Sequence, residues 1–263
     1  MDNQPTGNRN PDNQPIGNRN PDNQPIGNRK PDNRPIGVFD SGLGGLTAVK
    51  ELEKILPRES IVYFGDTGRV PYGTRSRETI RRYAAQDMAF LMNHDVKAVL
   101  AACGTVSSTA GDIGRSLPVP YFDVIGPSAK AAAGLTRNKK VGVIGTSATI
   151  HSDAYRQALL GIDYKLEVYS QACPLFVPLV ENAFISPQEE VTRLVAQRYL
   201  GTVREAGVDT LILGCTHYPI IAPIIASVMG HSVSLVDAGR EAALALAGRL
   251  AEDGLLCGEE SPR

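Results

Sequence analysis

Apolar residues along the chain, from residue 35 onward, fall into two alternating patterns. Short runs that are almost wholly apolar predict buried strands, whereas LTAVKELEKIL places apolar residues on one face at helical spacing. The predicted strands are IGVFDS, SIVYFGD, VKAVLAAC, KVGVIGTS, LEVYSQA, VDTLILGC and SVSLVDAG. The predicted helices cover 46–56, 78–93, 152–160, 189–206 and 240–252. This alternation predicts parallel sheets flanked by helices, with functional groups at the carboxyl ends of strands.

Two of the strand patterns occur twice. GVFDS from Gly37 matches GVIGT from Gly142, and VLAACGT from Val99 matches LILGCTH from Leu211. The two pairs come in the same order at comparable spacing, although chance similarity between apolar strands is the alternative explanation. We therefore expect an α/β protein built from two similar parallel-sheet α/β domains that face each other across a cleft. The first domain is predicted to comprise 35–127 plus 235–263, and the second 128–234.

The first thirty residues form a tandem decapeptide, MDNQPTGNRN, PDNQPIGNRN and PDNQPIGNRK. These copies contain almost no bulky apolar side chains, so they cannot bury enough surface to offset the entropy of ordering them. Residues 1–34 are accordingly predicted to be a disordered tail. A fourth copy, PDNRPIG, runs directly into the first strand. The tail thus resembles a duplication of the first residues of the domain, and an inert expansion is favoured over a partner-binding segment.

Composition and charge narrow the classes of function. The 263 residues carry a formal net charge of −1, which argues against the basic face that nucleic-acid or membrane-surface partners would need. The sequence contains no apolar run close to the ~20 residues that span a bilayer. Its polar N-terminal segment does not resemble a secretory signal. A soluble, cytoplasmic protein is expected.

The four cysteines differ in their settings. They show no CxxC pairing, so a zinc ribbon does not fit and free thiols are expected. Cys103 and Cys215 each follow an apolar strand and precede a threonine within two residues. Backbone N–H groups at a strand-to-helix turn favour anions and can lower a thiol pKa. Cys173 precedes a proline-containing loop and Cys257 lies near the C-terminus, so both are predicted to be structural.

Two thiols on opposite sides of a cleft suit the inversion of a carbon acid. One thiolate removes a proton from one face of the carbon, and the other thiol delivers a proton to the opposite face. Each cysteine would then act as a base in one direction and as an acid in the other. For a lone cysteine at a strand end, packing in the core would be the preferred interpretation. Because two cysteines occupy matching positions, a chemical role is favoured for both.

Five motifs carry a family resemblance. GVFDSGLGGLT, GDTGRVPYG, AACGT, CPLFVPLVEN and LGCTHYP resemble the glutamate racemases of the aspartate/glutamate racemase superfamily, in order and spacing across the chain after residue 35. The resemblance implies a racemase that needs neither cofactor nor metal and makes D-glutamate for peptidoglycan. It also implies two α/β domains with the site in the cleft between them, and commonly a homodimer.

The resemblance assigns roles position by position. Cys103 and Cys215 match the family cysteines that work on opposite faces of the substrate. Asp40 and Ser41 match a pair beside the substrate ammonium and the first cysteine. A turn aspartate with all its hydrogen bonds made inside the turn is the alternative for Asp40.

Further positions match substrate contacts. Tyr72 and Gly73 match a loop that meets the side-chain carboxylate of the substrate. Thr105 and Thr216 match hydroxyl donors to a carboxylate. His217 matches the histidine beside the second cysteine, with a structural histidine as the alternative.

Two acidic residues are less sharply assigned. Glu181 resembles an acidic residue that the family places near the second cysteine, although an ordinary glutamate at a helix start is the alternative. Asp66 opens the loop that contains Tyr72 and is expected at least to shape it.

The chain departs from the family at Gly104, because the family normally reads ACNT where this chain reads ACGT. An asparagine amide could hydrogen-bond the substrate and glycine cannot, so water, Ser107, Ser108 or a different substrate would fill the gap. If glycine is a tolerated loss, Gly104→Asn is expected to lower KM for glutamate several-fold at little cost to the fold.

Three other functions are alternatives. The first is a racemase for aspartate or another acidic amino acid. The second is a duplicated racemase that only binds or is weakly active, for which Gly104 is the argument. The third is a nucleotide- or phosphate-binding protein, suggested by SGLGGLT. That segment is not G-x-G-x-x-G, because Thr47 occupies the third glycine position, and no P-loop lysine follows.

Overall fold

The computed structural model describes residues 31–258, so the predicted tail lies outside the described residues up to residue 30. Within the described range the strands are β1 Ile36–Asp40, β2 Ile61–Gly65, β3 Ala98–Ala101, β4 Tyr121–Asp123, β5 Lys140–Gly145, β6 Glu167–Ala172, β7 Thr210–Leu213 and β8 Ser234–Asp237. The helices are α1 Leu46–Ile55, α2 Arg77–Met92, α3 Gly104–Arg115, α4 Ile125–Leu135, α5 Ser147–His151, α6 Ala154–Ile162, α7 Phe176–Glu181, α8 Glu190–Glu205, α9 Ala222–Met229 and α10 Ala238–Glu252. A short 3₁₀ turn, Tyr218–Ile221, precedes α9.

All seven predicted strands are present, but the sequence pattern did not reveal β4, α3, α4, α5, α7 or α9. Strand β4 is only three residues long. Helix α3 reads GTVSSTAGDIGR, whose small and hydroxyl residues give little apolar contrast although most of them are buried. The helix predicted over 152–160 is α6, and Asp153, with a left-handed backbone conformation and φ of 58°, separates it from α5.

The strands form two four-stranded parallel sheets with the same internal order, β2-β1-β3-β4 and β6-β5-β7-β8. In the first sheet Gly37 pairs with Val99, and in the second Gly142 pairs with Leu211. These are the four residues that head the repeated patterns in the sequence. The prediction of two similar parallel-sheet α/β domains is therefore confirmed, and the repeated patterns align at the level of single residues.

The predicted domain boundaries need one correction. Strand β8 pairs with β7, so 235–237 belong to the second sheet and not to the first domain. The apolar pattern identified this strand but could not say which sheet it joins, because pairing is decided by distant residues. The predicted break after residue 127 falls inside α4, which packs on α6, α10, β7 and β8. The rest of the domain division stays a prediction.

The two sheets share a buried apolar core. Residues of β1, β3, β5 and β7 are almost all buried, as expected for central parallel strands covered on both faces. One cluster joins both sheets through α4, α6 and α10, with Ala129, Leu159 and Leu246 fully buried in it. None of the helices in the described part of the chain is long and apolar enough to cross a membrane.

Candidate active site

Asp40 ends β1 and is fully buried. Its Oδ2 accepts hydrogen bonds from the backbone N–H groups of Gly42 at 3.1 Å and Gly45 at 3.0 Å, as a turn aspartate does. Its Oδ1 also accepts a hydrogen bond from the Thr216 hydroxyl at 3.4 Å, which reaches across from the second domain. Burial raises the pKa of Asp40, and the nearby His217 ring and the turn N–H groups oppose that rise. Asp40 thus joins the loop after β1 to the second domain.

Cys103 lies two residues after β3, directly before α3, and is 4% exposed. Its Sγ donates to the Ser41 hydroxyl at 3.5 Å. Burial, followed by the charge of Asp40, raises the pKa of Cys103 to about 11, although backbone N–H groups of Val106 and Ser41 act in the opposite direction. The sequence-based expectation of a lowered pKa is therefore wrong, because loss of solvation outweighs the N–H groups. At neutral pH the Cys103 side chain is a thiol.

Cys215 lies two residues after β7 and is 8% exposed. Its Sγ is 3.8 Å from Nδ1 of His217, and Nε2 of that ring is 3.2 Å from Oε1 of Glu181 at the end of α7. Burial raises the pKa of Cys215 well above its ordinary value. The three side chains form a chain of contacts from a buried thiol to a carboxylate that is 42% exposed.

Both thiols line one cavity of about 310 Å³ between the two domains. Every predicted site residue except Asp40 lines it, since Asp40 lies behind the cavity wall. The predicted residues in the lining are Ser41, Tyr72, Gly73, Cys103, Gly104, Thr105, Glu181, Cys215, Thr216 and His217. The structure therefore brings together residues that are as far apart as 41 and 217 in the chain.

Tyr72 does not direct its hydroxyl to a substrate. The hydroxyl group lies within hydrogen-bonding distance of Asp66, and its oxygen is 2.9 Å from Oδ2 of Asp87. The same loop contacts the second domain at Gly73, whose carbonyl accepts from the Ala148 N–H at 3.1 Å. If this loop meets a substrate carboxylate, it does so with groups other than the Tyr72 hydroxyl.

Gly104 occupies a position with no room for a side chain. A Cβ there would lie 2.1 Å from the carbonyl oxygen of Gly214, the residue before Cys215. The expectation that asparagine fits at little cost is therefore wrong, because the obstacle is backbone from the other domain. Gly44 and Gly73 make similar close approaches, to Thr216 and Thr146 respectively. Around the site, the first domain therefore approaches the second closely at glycines, which have no side chain to keep the two apart.

Several lining residues were not singled out in the sequence. Thr146 and Ser147 follow β5, and the Thr146 hydroxyl lies 2.9 Å from that of Thr105. The repeated pattern could have revealed Thr146, since it aligns with Ser41. Pro174, Val177 and Pro178 form an apolar wall. They lie in the motif CPLFVPLVEN, in which only Glu181 was assigned a role.

The remaining cysteines do not line this cavity. The Cys173 thiol is buried and 3.7 Å from the carbonyl of Gln171, and that of Cys257 is 3.1 Å from the carbonyl of Arg58. All four thiols are free. Within residues 31–258, no group of three or more His, Cys, Asp or Glu side chains could hold a metal ion. The chemistry of the lining is that of acids and bases, two thiols with an imidazole and carboxylates.

Comparison with known proteins agrees with this geometry. Residues 36–246 match the family described as Asp/Glu/Hydantoin racemase. The chain is similar to the glutamate racemase of Geobacter metallireducens, with 50% identity over 208 residues, 79% of this chain and 76% of the relative.

Two solved structures share the fold over most of their length. The glutamate racemase of Francisella tularensis in complex with D-glutamate superposes with a TM-score of 0.82 at 45% identity, over 88% of this chain and 86% of that chain. The glutamate racemase of Thermus thermophilus in complex with β-chloro-D-alanine gives a TM-score of 0.80 at 44% identity, over 89% and 87% of the two chains.

Proposed function

Because this chain belongs to the Asp/Glu/hydantoin racemase family and is an amino-acid racemase, we propose that its substrate is glutamate, whose L and D forms it interconverts without a cofactor. One observation carries the proposal: Cys103 and Cys215 follow equivalent strands of the two domains and line the same cavity. The D-glutamate complex of the similar Francisella tularensis enzyme supports the choice of substrate.

The proposed reaction moves one proton off the α-carbon and another onto it. The thiolate of one cysteine removes the α-proton, and the electron pair of the broken C–H bond is delocalised into the α-carboxylate. The thiol of the other cysteine then protonates the opposite face and becomes a thiolate. The direction of reaction decides which cysteine starts as the base. Because the enantiomers have equal free energy in solution, both directions must be served.

One thiol must lose its proton before the reaction starts, since burial keeps both thiols protonated at neutral pH. For Cys215 the acceptor is His217, whose Nδ1 is 3.8 Å from the sulfur and whose other nitrogen contacts Glu181. For Cys103 we propose that the substrate ammonium, a positive charge entering the cavity, lowers the thiol pKa, so that the thiol releases its proton to solvent as the substrate binds. The carboxylate of Asp40, just behind the wall, favours that ammonium.

The carboxylates of the substrate would be held by neutral donors. Thr105 and Thr216 present hydroxyl groups to the cavity, and α3 begins at Gly104 with its N-terminal N–H groups. The Tyr72–Gly73 segment lines another part of the wall and is proposed to bind the side-chain carboxylate through its backbone. Gly104 contributes no amide side chain, and the close approach of Gly214 takes up the space that such a side chain would fill.

A polarimetric assay of the purified protein tests this function. With no added cofactor, optical rotation should decay to zero from either L- or D-glutamate, and deuterium from heavy water should appear at the α-carbon. A panel of amino acids separated by chiral chromatography should show glutamate as the fastest substrate. Faster racemisation of aspartate would replace the substrate assignment. A folded protein that binds glutamate without turnover would support a binding protein instead.

We further propose that the D-glutamate supplies peptidoglycan synthesis, that the enzyme works in the cytoplasm and that it forms a homodimer. The similarity to glutamate racemases supports the first proposal. The four free thiols, two of them in the site, fit a reducing compartment. The net charge of −1 gives no reason to expect a nucleic-acid or membrane partner. Light scattering of the purified protein tests the dimer.

A further inference from the structure

A buried polar cluster lies beneath the loop 66–74, on the side away from the cavity. We name it the carboxylate cluster; it consists of Asp66, Arg69 and Tyr72 from the loop and Asp87 from α2. Arg69 donates through Nε to Asp66 at 2.5 Å and through Nη2 to Asp87 at 2.8 Å. The Tyr72 hydroxyl lies between the two carboxyl groups. Of the four residues, only Tyr72 lines the cavity.

One face of α2 holds this loop. Asp87 contacts Tyr72 and Arg69, Gln86 contacts Arg69 through its amide oxygen, and the Arg69 guanidinium stacks over the Tyr83 ring at 4.3 Å. Positions 83, 86 and 87 are spaced i, i+3 and i+4, so they lie on the same helix face. Asp87 is 1% exposed, and it is within hydrogen-bonding distance of both Tyr72 and Arg69, whereas Tyr83 contacts the same two residues through its ring.

If Asp66 and Asp87 are both ionised, the contacts of Tyr72 lack one proton, because its hydroxyl is close to an oxygen of each carboxylate. An ionised carboxylate only accepts, and the Tyr72 hydroxyl has a single proton for two carboxyl neighbours. All contacts are made if Oδ2 of Asp87 is protonated and donates to the Tyr72 oxygen, while Tyr72 donates to Asp66. Arg69 then pairs with Oδ1 of Asp87 and with Asp66.

The electrostatics favour that arrangement below a pH of about 6. Burial is the main cause that raises the pKa of Asp87, to about 6, and the charge of Asp66 acts in the same direction. The Tyr72 hydrogen bond and Arg69 act in the opposite direction. In the described residues, the titratable and charged groups that face Asp87 are Asp66, Arg69 and Tyr72 from the loop, with Tyr83 on α2 itself. The extra proton therefore leaves as the pH rises through about 6.

We propose that Asp87 is a positioning residue, which holds the loop 66–74 in its substrate-binding conformation through Tyr72 and Arg69. The proposal rests on the proposed function, in which the Tyr72–Gly73 segment binds the side-chain carboxylate of glutamate. Asp87 does not line the cavity and touches neither thiol, so it acts on binding and not on proton transfer. KM is thus the parameter it controls, and kcat is not.

Three variants test this role in the full-length protein. Asp87→Ala removes the contacts to both Tyr72 and Arg69 and should raise KM for glutamate about fivefold to tenfold, the factor expected for a lost hydrogen bond, with kcat within twofold. Asp87→Asn supplies an N–H to Tyr72 and a carbonyl to Arg69 at every pH, so it should keep the KM of the parent enzyme at pH 6. Tyr72→Phe should raise KM as Asp87→Ala does. The control is Asp112→Asn, which loses an exposed ion pair with Arg81.

The pH profile separates positioning from a general loss of stability. KM of the parent enzyme should rise between pH 5.5 and 8 as Asp87 loses its proton, and the Asp87→Asn variant should show no such rise. If the rise persists in Asp87→Asn, or if Asp87→Ala lowers kcat and leaves KM unchanged, the positioning role is wrong.

Hydrogen exchange of the loop peptide gives a readout that needs no turnover. Exchange in 66–74 should be faster in Asp87→Ala than in the parent enzyme and in Asp87→Asn, with exchange in α10 unchanged. Equal exchange in all three proteins would overturn the proposal even if glutamate is the substrate. Absence of glutamate turnover in the parent enzyme would overturn the proposed function, and the exchange comparison would still decide the role of Asp87.

Discussion

The two sides of the cleft place their cysteines identically and surround them differently. Each thiol lies two residues beyond the third strand of its sheet, and the sheets have the same strand order. Strand register aligns Asp40 with Gly145 and Thr105 with His217. The buried carboxyl group of the first side is thus replaced by glycine on the second, and the imidazole of the second side is replaced by a threonine hydroxyl on the first.

This difference teaches that the repeated fold decides where the thiols lie, while single residues at equivalent positions decide their acid–base partners. The proposed two-base mechanism needs two bases that face each other, and the repeated topology supports that geometry. It does not need the bases to be alike, since each works on a different face of the substrate. The contribution of each side of the cleft can therefore be reduced separately by substitution. Four experiments test the difference between the two sides.

The largest expected effect is loss of either thiol. Cys103→Ala and Cys215→Ala should each lower racemisation by roughly a thousandfold or more, because one proton transfer loses its acid or base. Each variant should still exchange the α-proton of one enantiomer with deuterium from the solvent, and the two variants should differ in which enantiomer. Cys257→Ala is the control and should keep the activity of the parent. A parent rate in either active-site variant would exclude the two-base mechanism.

A side chain at Gly104 should have the next largest effect. Gly104 aligns with Thr216, yet a Cβ on Gly104 would lie 2.1 Å from the Gly214 carbonyl oxygen. Gly104→Asn should therefore push the two sides apart and lower kcat/KM about tenfold to a hundredfold, as overpacking of about 1–3 kcal/mol implies. The control Gly161→Asn adds the same side chain where nothing lies within 4 Å. A lower KM for glutamate in Gly104→Asn would contradict this expectation and would support glycine as a tolerated loss of the asparagine amide.

His217 assists Cys215 directly, and Asp40 assists Cys103 through the substrate ammonium. Replacing each of them should therefore affect a different proton transfer. His217→Asn and Asp40→Asn are each expected to lower kcat/KM about tenfold to a hundredfold. The loss is equal in the two directions because the enantiomers have equal free energy. The asymmetry should appear in the isotope effect with α-deuterated substrate. His217→Asn should increase it for the enantiomer whose proton Cys215 removes, and Asp40→Asn for the other. Identical isotope effects in both variants would contradict separate partners.

The smallest effect concerns stability at high pH. The folded pKa of Cys103, about 11, lies above the ordinary value of 9.0. The folded state therefore keeps a proton that the unfolded chain loses, and stability should fall as the pH rises from about 9 to about 11. The two-unit shift corresponds to about 3 kcal/mol at most. Denaturation of Cys103→Ala should show a shallower fall than the parent, and equal slopes would contradict the raised pKa.

The sequence by itself determined the parts of this protein that depend on local pattern. Buried parallel strands are continuous apolar runs, so seven of the eight strands in the described residues were visible. The repeat of two strand patterns predicted two similar halves, with Cys103 and Cys215 at equivalent positions. The family resemblance supplied ten of the residues that line the cavity. Helix α3 and strand β4 were missed because small, hydroxyl-rich or very short segments show no apolar period.

Tertiary structure alone decided the contacts between segments that are far apart in the chain. Only it showed that β8 joins the second sheet, that the Tyr72 hydroxyl turns toward Asp66 and Asp87, and that the Gly214 backbone closes the space beside Gly104. It also showed that burial raises the thiol pKa of Cys103, against the expectation from the turn alone. These features depend on which atoms meet after the two domains pack, and neither spacing nor composition encodes that meeting.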